Sequence, residues 1–503
     1  MKNKYINVLP SRKPKVLNVA RRVTRNSFFL LGSTGSGIIT RLAIFPIIAR
    51  YLGLQSFGVF TLILAISMSF SLIANFGAER ILSREMATTQ KNPDTFFSTS
   101  IVIALLLSLV LITGSIILIH VFSPWERQIN LALMLGISEQ LFFCIGQMYL
   151  AVIRGFEKME FDTLASFVHQ LSLFGLVLGA VFFDEGIVGI FWARFAASIF
   201  FLIISMVLTY TLFLAPKLDF KLNYAKYIIT ESFPVMAFSM LLGLIFKVDV
   251  FLLGWLKTAE EVALYEGPHR LLSLTQVLAT TITFSVLPIL SRAFAEGKKN
   301  LLKAYYDTTY KFLLVSGVLG TIVVFTAGKP LIFLLLGNEF DDAVISMQIM
   351  APIVVFLFLI QLQTSLLLAV KQQRLSTFAV GISLVVNIVL DVLLIPSYSY
   401  IGASIATLLS YFIFMYMTAS FIKKQGIHYN HLKTALKLLS ICLILLCITL
   451  LNFSNDFITL LARCIAGGTG YLLLLILFRV FSPVELQRIK DTLVLKKAGK
   501  KKS

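Results

Sequence analysis

The chain reads as an all-α polytopic membrane protein with about 14 transmembrane helices. Two six-helix lobes, related by a pseudo-twofold axis along the membrane normal, and two extra helices are expected. Composition, the spacing of apolar runs and the distribution of positive charge lead to this fold class. Of 503 residues, 58% are hydrophobic and only 14% are charged. The mean hydropathy is +0.88, well above that of a soluble globular chain.

The elements follow in order. Residues 1–25 form a basic tail carrying Lys2, Lys4, Arg12, Lys13, Lys15, Arg21, Arg22 and Arg25. Its first apolar run is long and lacks a small-residue cleavage site, so it reads as a retained helix and not as a signal peptide. Apolar segments at 26–49, 58–82, 96–122, 128–153, 162–183 and 187–214 make up an N-lobe, 26–214. A polar stretch, 215–231, is expected to link the lobes. Segments at 232–256, 262–291, 308–334, 344–370, 375–396 and 401–422 make up a C-lobe, 232–422. Two further segments, 433–452 and 458–480, lie within 423–480, and a basic tail occupies 481–503. Each segment can cross ~30 Å of hydrocarbon at ~1.5 Å per residue.

Charge orients this array. With both termini placed in the cytoplasm, the cytoplasmic pieces, counted with Lys433 and Lys437 at the edge of the thirteenth segment, carry 32 of the 44 Lys and Arg residues, whereas the opposite loops carry only Arg50, Arg127 and Lys257. That asymmetry is the positive-inside signature. Trp125, Trp192 and Trp255 all fall near the non-cytoplasmic face, where an amphipathic ring suits the interface. The net charge of +19 is thereby explained by topology, and no nucleic-acid partner is expected. The four cysteines, Cys144, Cys442, Cys447 and Cys464, lie in apolar segments without metal or disulfide spacing, which predicts small buried hydrophobes.

An internal repeat supports two lobes. Leu150-Ala-Val152 closes the fourth segment and Leu368-Ala-Val370 the tenth. Leu52-Gly53 and Gly58-Val-Phe60 in the first hairpin match Leu253-Gly254 and Ala263-Leu-Tyr265 in the seventh. Gly-Ile-Val-Gly189 is matched by Tyr-Ile-Gly402. Copies separated by six helices share orientation, hence an axis along the membrane normal.

The functional candidates centre on the hairpin from Ile245 to Arg270. Arg41, Arg194, Lys247 and Arg270 each lie about 12 Å inside the outer end of a segment at ~1.5 Å per residue. Four cations from four helices at one level predict a shared wet cavity lined by Arg41, Arg194, Lys247, Asp249 and Arg270. Snorkelling is the alternative for each cation alone. Such a cavity implies an anionic substrate, and arginine suits phosphate. Lys247 and Asp249, two residues apart, do not stack on one face, and Asp249 is expected to pair with a neighbour such as Arg270. Glu139, His269, Asn387 and Asp391 are further cavity or coupling candidates; for Glu139 a helix–helix hydrogen bond competes evenly. His169, Gln170, Gln361 and Gln363 read as interhelical packing contacts. Glu79 and Arg80, with Arg84 and Glu85, read as a cytoplasmic ion-pair cluster or gate. Gly-rich phosphate loops, His-Glu-x-x-His and DxD-like clusters are missing from the sequence, and no cofactor or metal is called for.

Arg41 with Pro46-Ile-Ile-Ala-Arg-Tyr-Leu-Gly53 and Gln55-Ser-Phe-Gly-Val-Phe60 resembles the opening of bacterial polysaccharide (O-antigen-type) flippases. Val248-Asp249, Leu253-Gly254, Glu261-Val-Ala-Leu-Tyr265 and Arg270 resemble their helix seven-to-eight signature, with Ala263 where that family often has Gly. Such proteins belong to the multidrug/oligosaccharidyl-lipid/polysaccharide exporter superfamily. The resemblance implies a non-enzymatic flippase of the bacterial inner membrane. It would move an undecaprenyl-pyrophosphate-linked oligosaccharide by alternating access, for lipopolysaccharide O-antigen or another surface polysaccharide. It also implies a lipid-linked anionic glycan substrate, its pyrophosphate meeting Arg41, Lys247 and Arg270, with polymerase and glycosyltransferase partners nearby. The alternatives are a peptidoglycan-precursor flippase, a multidrug antiporter, which would favour an acidic cavity, and a polysaccharide polymerase, which would need a large outer loop.

Overall fold

The computed structural model describes residues 16–88, 93–122, 125–214 and 219–426. The expected helices at 433–452 and 458–480, residues 1–15, the C-terminal tail, Cys442, Cys447, Cys464 and the side chain of Arg41 lie outside the described residues, whereas residues 16–25 of the expected N-terminal tail are part of a helix that begins at Val16. Within them the chain is helical wherever the apolar pattern places a segment, in thirteen α-helices. Eight helices are long and apolar enough to cross a membrane, or up to ten if each of two bent pairs is one span.

α1 (Val16–Asn75) carries both segments of the first hairpin, kinked at Gly53 (φ 69°, ψ 176°). Only a residue without Cβ takes that conformation freely. Phe76 and Gly77, with φ of 48° and 71°, then turn the chain into α2 (Ala78–Thr88). The second segment, expected to run to 82, therefore stops at Asn75, because two left-handed residues cannot continue a right-handed helix. α3 (Pro93–Phe122), α4 (Arg127–Gly155), α5 (Met159–Phe182) and α6 (Gly186–Leu212) follow. Residues 222–231, expected within a polar linker, open α7 (Leu222–Ile245).

Two compact units result, Met1–Leu244 and Ile245–Ser503. In the first, α4 packs against α1, α2, α3 and α6. Its Met148, Leu150 and Val152 are fully buried with Leu82 of α2 and Phe201 of α6. α2 reaches α4 at Gly155, where a Cβ would stand 2.4 Å from Met86 Cβ and 2.9 Å from the Ser83 carbonyl. α3 is the opposite extreme: Leu106, Leu109, Val110 and Ile117 are more than half exposed, as suits a helix facing acyl chains.

The second unit begins at a break. α8 (Val248–Leu256) continues α7 after Phe246 and Lys247 at a bend of 49°. α9 (Ala259–Ala295) starts with a capping box in which the Thr258 hydroxyl accepts from Glu261 N–H and the Glu261 carboxylate accepts from Thr258 N–H. That pairing satisfies two otherwise orphaned donors. α10 (Lys299–Leu335) leads to a second bent pair, α11 (Ala343–Met350) and α12 (Ile353–Ala369), meeting at 43°. α13 (Gln373–Lys424) holds the eleventh and twelfth segments and kinks at Ser399 (φ 49°, ψ −133°). α9 packs against α12, α10 and α11, and α13 against α12, α8 and α11.

Candidate functional site

The break between α7 and α8 places two charges on opposite sides of one short helix. Lys247 occupies the N-cap of α8, and Asp249 lies in its first turn. Residues two apart on a helix face different neighbours, and the two side chains meet different partners.

Lys247 turns toward α9. Its Nζ donates to Glu266 Oε1 at 2.5 Å, with side-chain exposures of 16% and 2%. The second Glu266 oxygen makes no hydrogen bond and faces His269 Nδ1 at 3.8 Å, one turn along α9. Arg270 lies within electrostatic reach of both Lys247 and Glu266. Lys247 and Arg270 thus both act on the Glu266 carboxylate beside the break. Glu266 was not singled out among the sequence candidates. The signal was present in Tyr265-Glu-Gly-Pro-His-Arg270, where an acid at membrane depth needs a cation.

Asp249 turns toward α13. Its Oδ1 accepts from Asn387 Nδ2 at 2.9 Å and from the Thr407 hydroxyl at 3.1 Å. Asn387 Nδ2 also lies 3.3 Å from Asp391 Oδ2. The expected Asp249–Arg270 pair is therefore replaced by a buried polar pocket, because the first turn of α8 aims Asp249 away from the Lys247 face. Asn387 and Asp391 join it there, as their one-turn spacing allows. Asp249, Asn387, Asp391 and Thr407 are all between 0% and 1% exposed. Asp249 Oδ2, Asp391 Oδ1 and Asn387 Oδ1 lack hydrogen-bond partners. Buried oxygens are rarely left so, and two neighbouring carboxylates repel unless a cation or a proton sits with them. This all-oxygen set suits a hard cation or a proton and not a soft metal. Among the described residues no group of three or more His, Cys, Asp or Glu is placed to hold a metal ion.

Tyr265 lies between the two clusters. Its hydroxyl is 2.8 Å from Thr407 Oγ1, and its ring stacks on His269 with centroids 5.6 Å apart and planes at 11°. Tyr411 of α13, also fully buried, lies within electrostatic reach of both Asp249 and Glu266. Tyr411 and Thr407 do not stand out in an apolar segment by sequence alone, and Tyr265 appears there only within a repeat and a family-like motif.

The first unit holds its own charges in pairs. An Arg194 terminal nitrogen donates to both Glu139 oxygens, at 2.9 and 3.1 Å, and Gln140 donates to Glu139 at 3.1 Å. Glu139 thus serves as the counter-ion of Arg194 between α4 and α6. His169 lies against the rings of Phe143 and Phe201, with Nδ1 3.3 Å from the Ala197 carbonyl, which suits the expected packing role.

At the far end of α4, Arg154 donates to Asp162 at 2.7 Å, to Gln147 at 2.6 Å and to Glu79. Glu79 also accepts from Asn75 at 3.1 Å, so it ties α2 to α1, α4 and α5. Arg80 is exposed. Arg84 instead makes the outer link, donating to Glu231 at 3.1 Å, to Tyr227 at 3.1 Å and to Glu85 at 3.2 Å. The Glu231 bond leads the effects that push the Arg84 guanidinium further up, and burial and then Glu85 push the Tyr227 phenol up. Arg154 and Asp162, the residues that anchor Glu79, were not among the sequence candidates because each sits at the end of an apolar segment beside a short polar turn.

The model of a family described as polysaccharide biosynthesis protein matches residues 23–294, more than half of the chain. The chain belongs to that family. A second model, MatE, matches residues 234–393, the stretch that holds both unit-two clusters except Thr407. Two curated relatives come from Haloferax volcanii. The protein named Probable flippase AglR is 24% identical over 71% of this chain and 75% of its own length. The one named Probable low-salt glycan biosynthesis flippase Agl15 is 23% identical over 72% and 75%. Among solved structures, Lipid II flippase MurJ in an inward closed conformation aligns with a TM-score of 0.72 and 16% identity, covering 90% of this chain and 99% of that one. This polysaccharide biosynthesis protein therefore has the fold of the multidrug/oligosaccharidyl-lipid/polysaccharide exporter superfamily, and it is a multi-pass membrane transporter of the flippase type.

Proposed function

We propose that the chain flips a lipid-linked oligosaccharide, with a pyrophosphate between lipid and sugar, from the cytoplasmic to the outer leaflet of a bacterial inner membrane. Both termini face the cytoplasm in this reading, as the Lys and Arg asymmetry argues. The observation that carries it is the cluster at the α7–α8 break, where Lys247 donates to Glu266 and Arg270 lies within electrostatic reach of both. A pyrophosphate brings more negative charge than Glu266 and several acceptor oxygens, so it competes for Lys247 and engages Arg270 bidentately. Arg41 is carried over as a further candidate contact from the family resemblance alone. Arg194, whose charge Glu139 already holds, is not counted among these contacts. The flippase names of the Haloferax volcanii relatives and the family description support the same substrate class. Glycosyltransferases would supply this substrate, and a polymerase would consume it. The pocket of Asp249, Asn387, Asp391 and Thr407 is the proposed coupling site, taking a cation or a proton.

The test is export in cells carrying single variants. Lys247→Ala, Arg270→Ala and Arg41→Ala should each lower appearance of the polysaccharide at least tenfold while the protein still inserts, with lipid-linked repeat units accumulating inside. Full export by all three would reject the reading. A multidrug-antiporter reading draws on the MatE match to residues 234–393. It would be favoured if cationic drug efflux, and not repeat-unit export, failed in Asp249→Asn.

A further inference from the structure

The two clusters of the second unit are joined by a continuous run of contacts through Tyr265. On one side, Tyr265 OH meets Thr407 Oγ1 at 2.8 Å, and Thr407 Oγ1 meets Asp249 Oδ1 at 3.1 Å. The Thr407 hydroxyl has one proton and two acceptors in reach, Asp249 Oδ1 and the Ala403 carbonyl at 2.7 Å. The Tyr265 hydroxyl proton has two acceptors in reach, Thr407 Oγ1 at 2.8 Å and the Asp249 carboxylate, and Thr407 accepts it when Tyr265 donates there. On the other side, the Tyr265 ring lies parallel to the imidazole of His269 with centroids 5.6 Å apart, and His269 Nδ1 stands 3.8 Å from Glu266 Oε2. That separation is just beyond a hydrogen bond.

Glu266 therefore has two alternative partners: Lys247, which it now binds, and His269, which a small side-chain movement would reach. Transfer from one to the other is a two-state element of the kind that couples sites. When an anion takes Lys247, the displaced Glu266 needs the imidazole, because a buried carboxylate without a partner is costly. Whether the imidazole is in place depends on the ring of Tyr265, whose hydroxyl is tied to the acidic pocket through Thr407. A cation in that pocket takes the Asp249 oxygens, which leaves Thr407 Oγ1 as the acceptor for the Tyr265 proton, so the ring of Tyr265 is fixed.

We propose that Tyr265 is the positioning residue that couples the acidic pocket to the anion site, by presenting His269 as the second partner of Glu266 so that Lys247 is released to the substrate headgroup. This rests on the headgroup and coupling roles proposed above. Linkage makes the effect reciprocal: occupancy of either site strengthens the other by one common factor.

The experiment measures binding of farnesyl pyrophosphate to the full-length protein in detergent, in sodium chloride and in choline chloride of equal ionic strength. Asp391→Asn in choline chloride serves as a neutralised pocket, covering a proton as the coupling ion. Wild type should bind the probe at least tenfold more tightly in sodium or with Asp391→Asn than in choline alone. Tyr265→Phe keeps the ring and removes the hydroxyl. It should bind in choline within about threefold of wild type and lose most of the tenfold response. Thr407→Val should lose the response, and Thr407→Ser, which restores the hydroxyl, should keep it. Tyr411→Phe, which removes a buried hydroxyl that makes no hydrogen bond, should also keep it. An undiminished response in Tyr265→Phe overturns the relay alone. A wild type that does not bind the probe, or binds it without any response, overturns the functional reading and the relay with it.

Discussion

Glu139 and Arg194 show what charge means at residue scale in this protein. The Glu139 side chain is 5% exposed and that of Arg194 14%, and each neutralises the other between α4 and α6. Removing one partner leaves a buried charge without its counter-ion, at a cost of about 3–5 kcal/mol. Glu139→Ala should therefore lower unfolding stability in detergent by that order. The double replacement Glu139→Leu with Arg194→Leu should recover most of the loss, since apolar residues need no counter-ion. The contrast with Lys247 is instructive. Its partner Glu266 faces two cations and a histidine, so that carboxylate can leave Lys247 without losing every favourable neighbour.

At the scale of elements, α2 is the piece that depends most on its supports. It is eleven residues long, too short to be stable alone in water, and it is held by burial of Ile81, Leu82 and Met86 and by the Glu79–Arg154 pair. Its closest approach to α4 is at Gly155, where the obstacles to a Cβ include the backbone oxygen of Ser83. Gly155→Ala should cost about 1–3 kcal/mol as an overpacked contact and raise amide exchange across residues 78–88 before other helices respond. Unchanged exchange there would show that α2 is held from elsewhere. The Arg84 link to Tyr227 and Glu231 is a weaker candidate for that role, because Arg84 and Glu231 are 49% and 43% exposed and surface pairs contribute about 0–1 kcal/mol.

For the whole molecule, orientation follows from loop charge, which can be read from either side of a cell. In a background with the four native cysteines replaced, Glu185→Cys in the α5–α6 turn should react with a membrane-impermeant maleimide on intact cells. Glu296→Cys in the α9–α10 turn should react only after permeabilisation. Both residues are exposed, so access to the reagent depends on sidedness. The reverse pattern would invert the proposed direction of flipping.

Hydropathy and charge bias are sums over about 20 neighbouring residues, which is why the spans, the all-helical class and the family resemblance were readable along the chain. Local turn chemistry was partly readable too: the Thr258–Glu261 capping box is four residues of sequence, whereas the stop at Phe76–Gly77 is a backbone conformation that an apolar count passes over. Partner choice was not readable. Lys247 and Glu266 are 19 positions apart, and Asp249 and Thr407 158 apart. Which of them meet depends on the rotation of each helix about its axis and on the bend at Phe246–Lys247. A rotation of about 100° per residue, at 3.6 residues per turn, separates a cation that faces a carboxylate from one that faces lipid, so only the packed tertiary structure decided where the charges go.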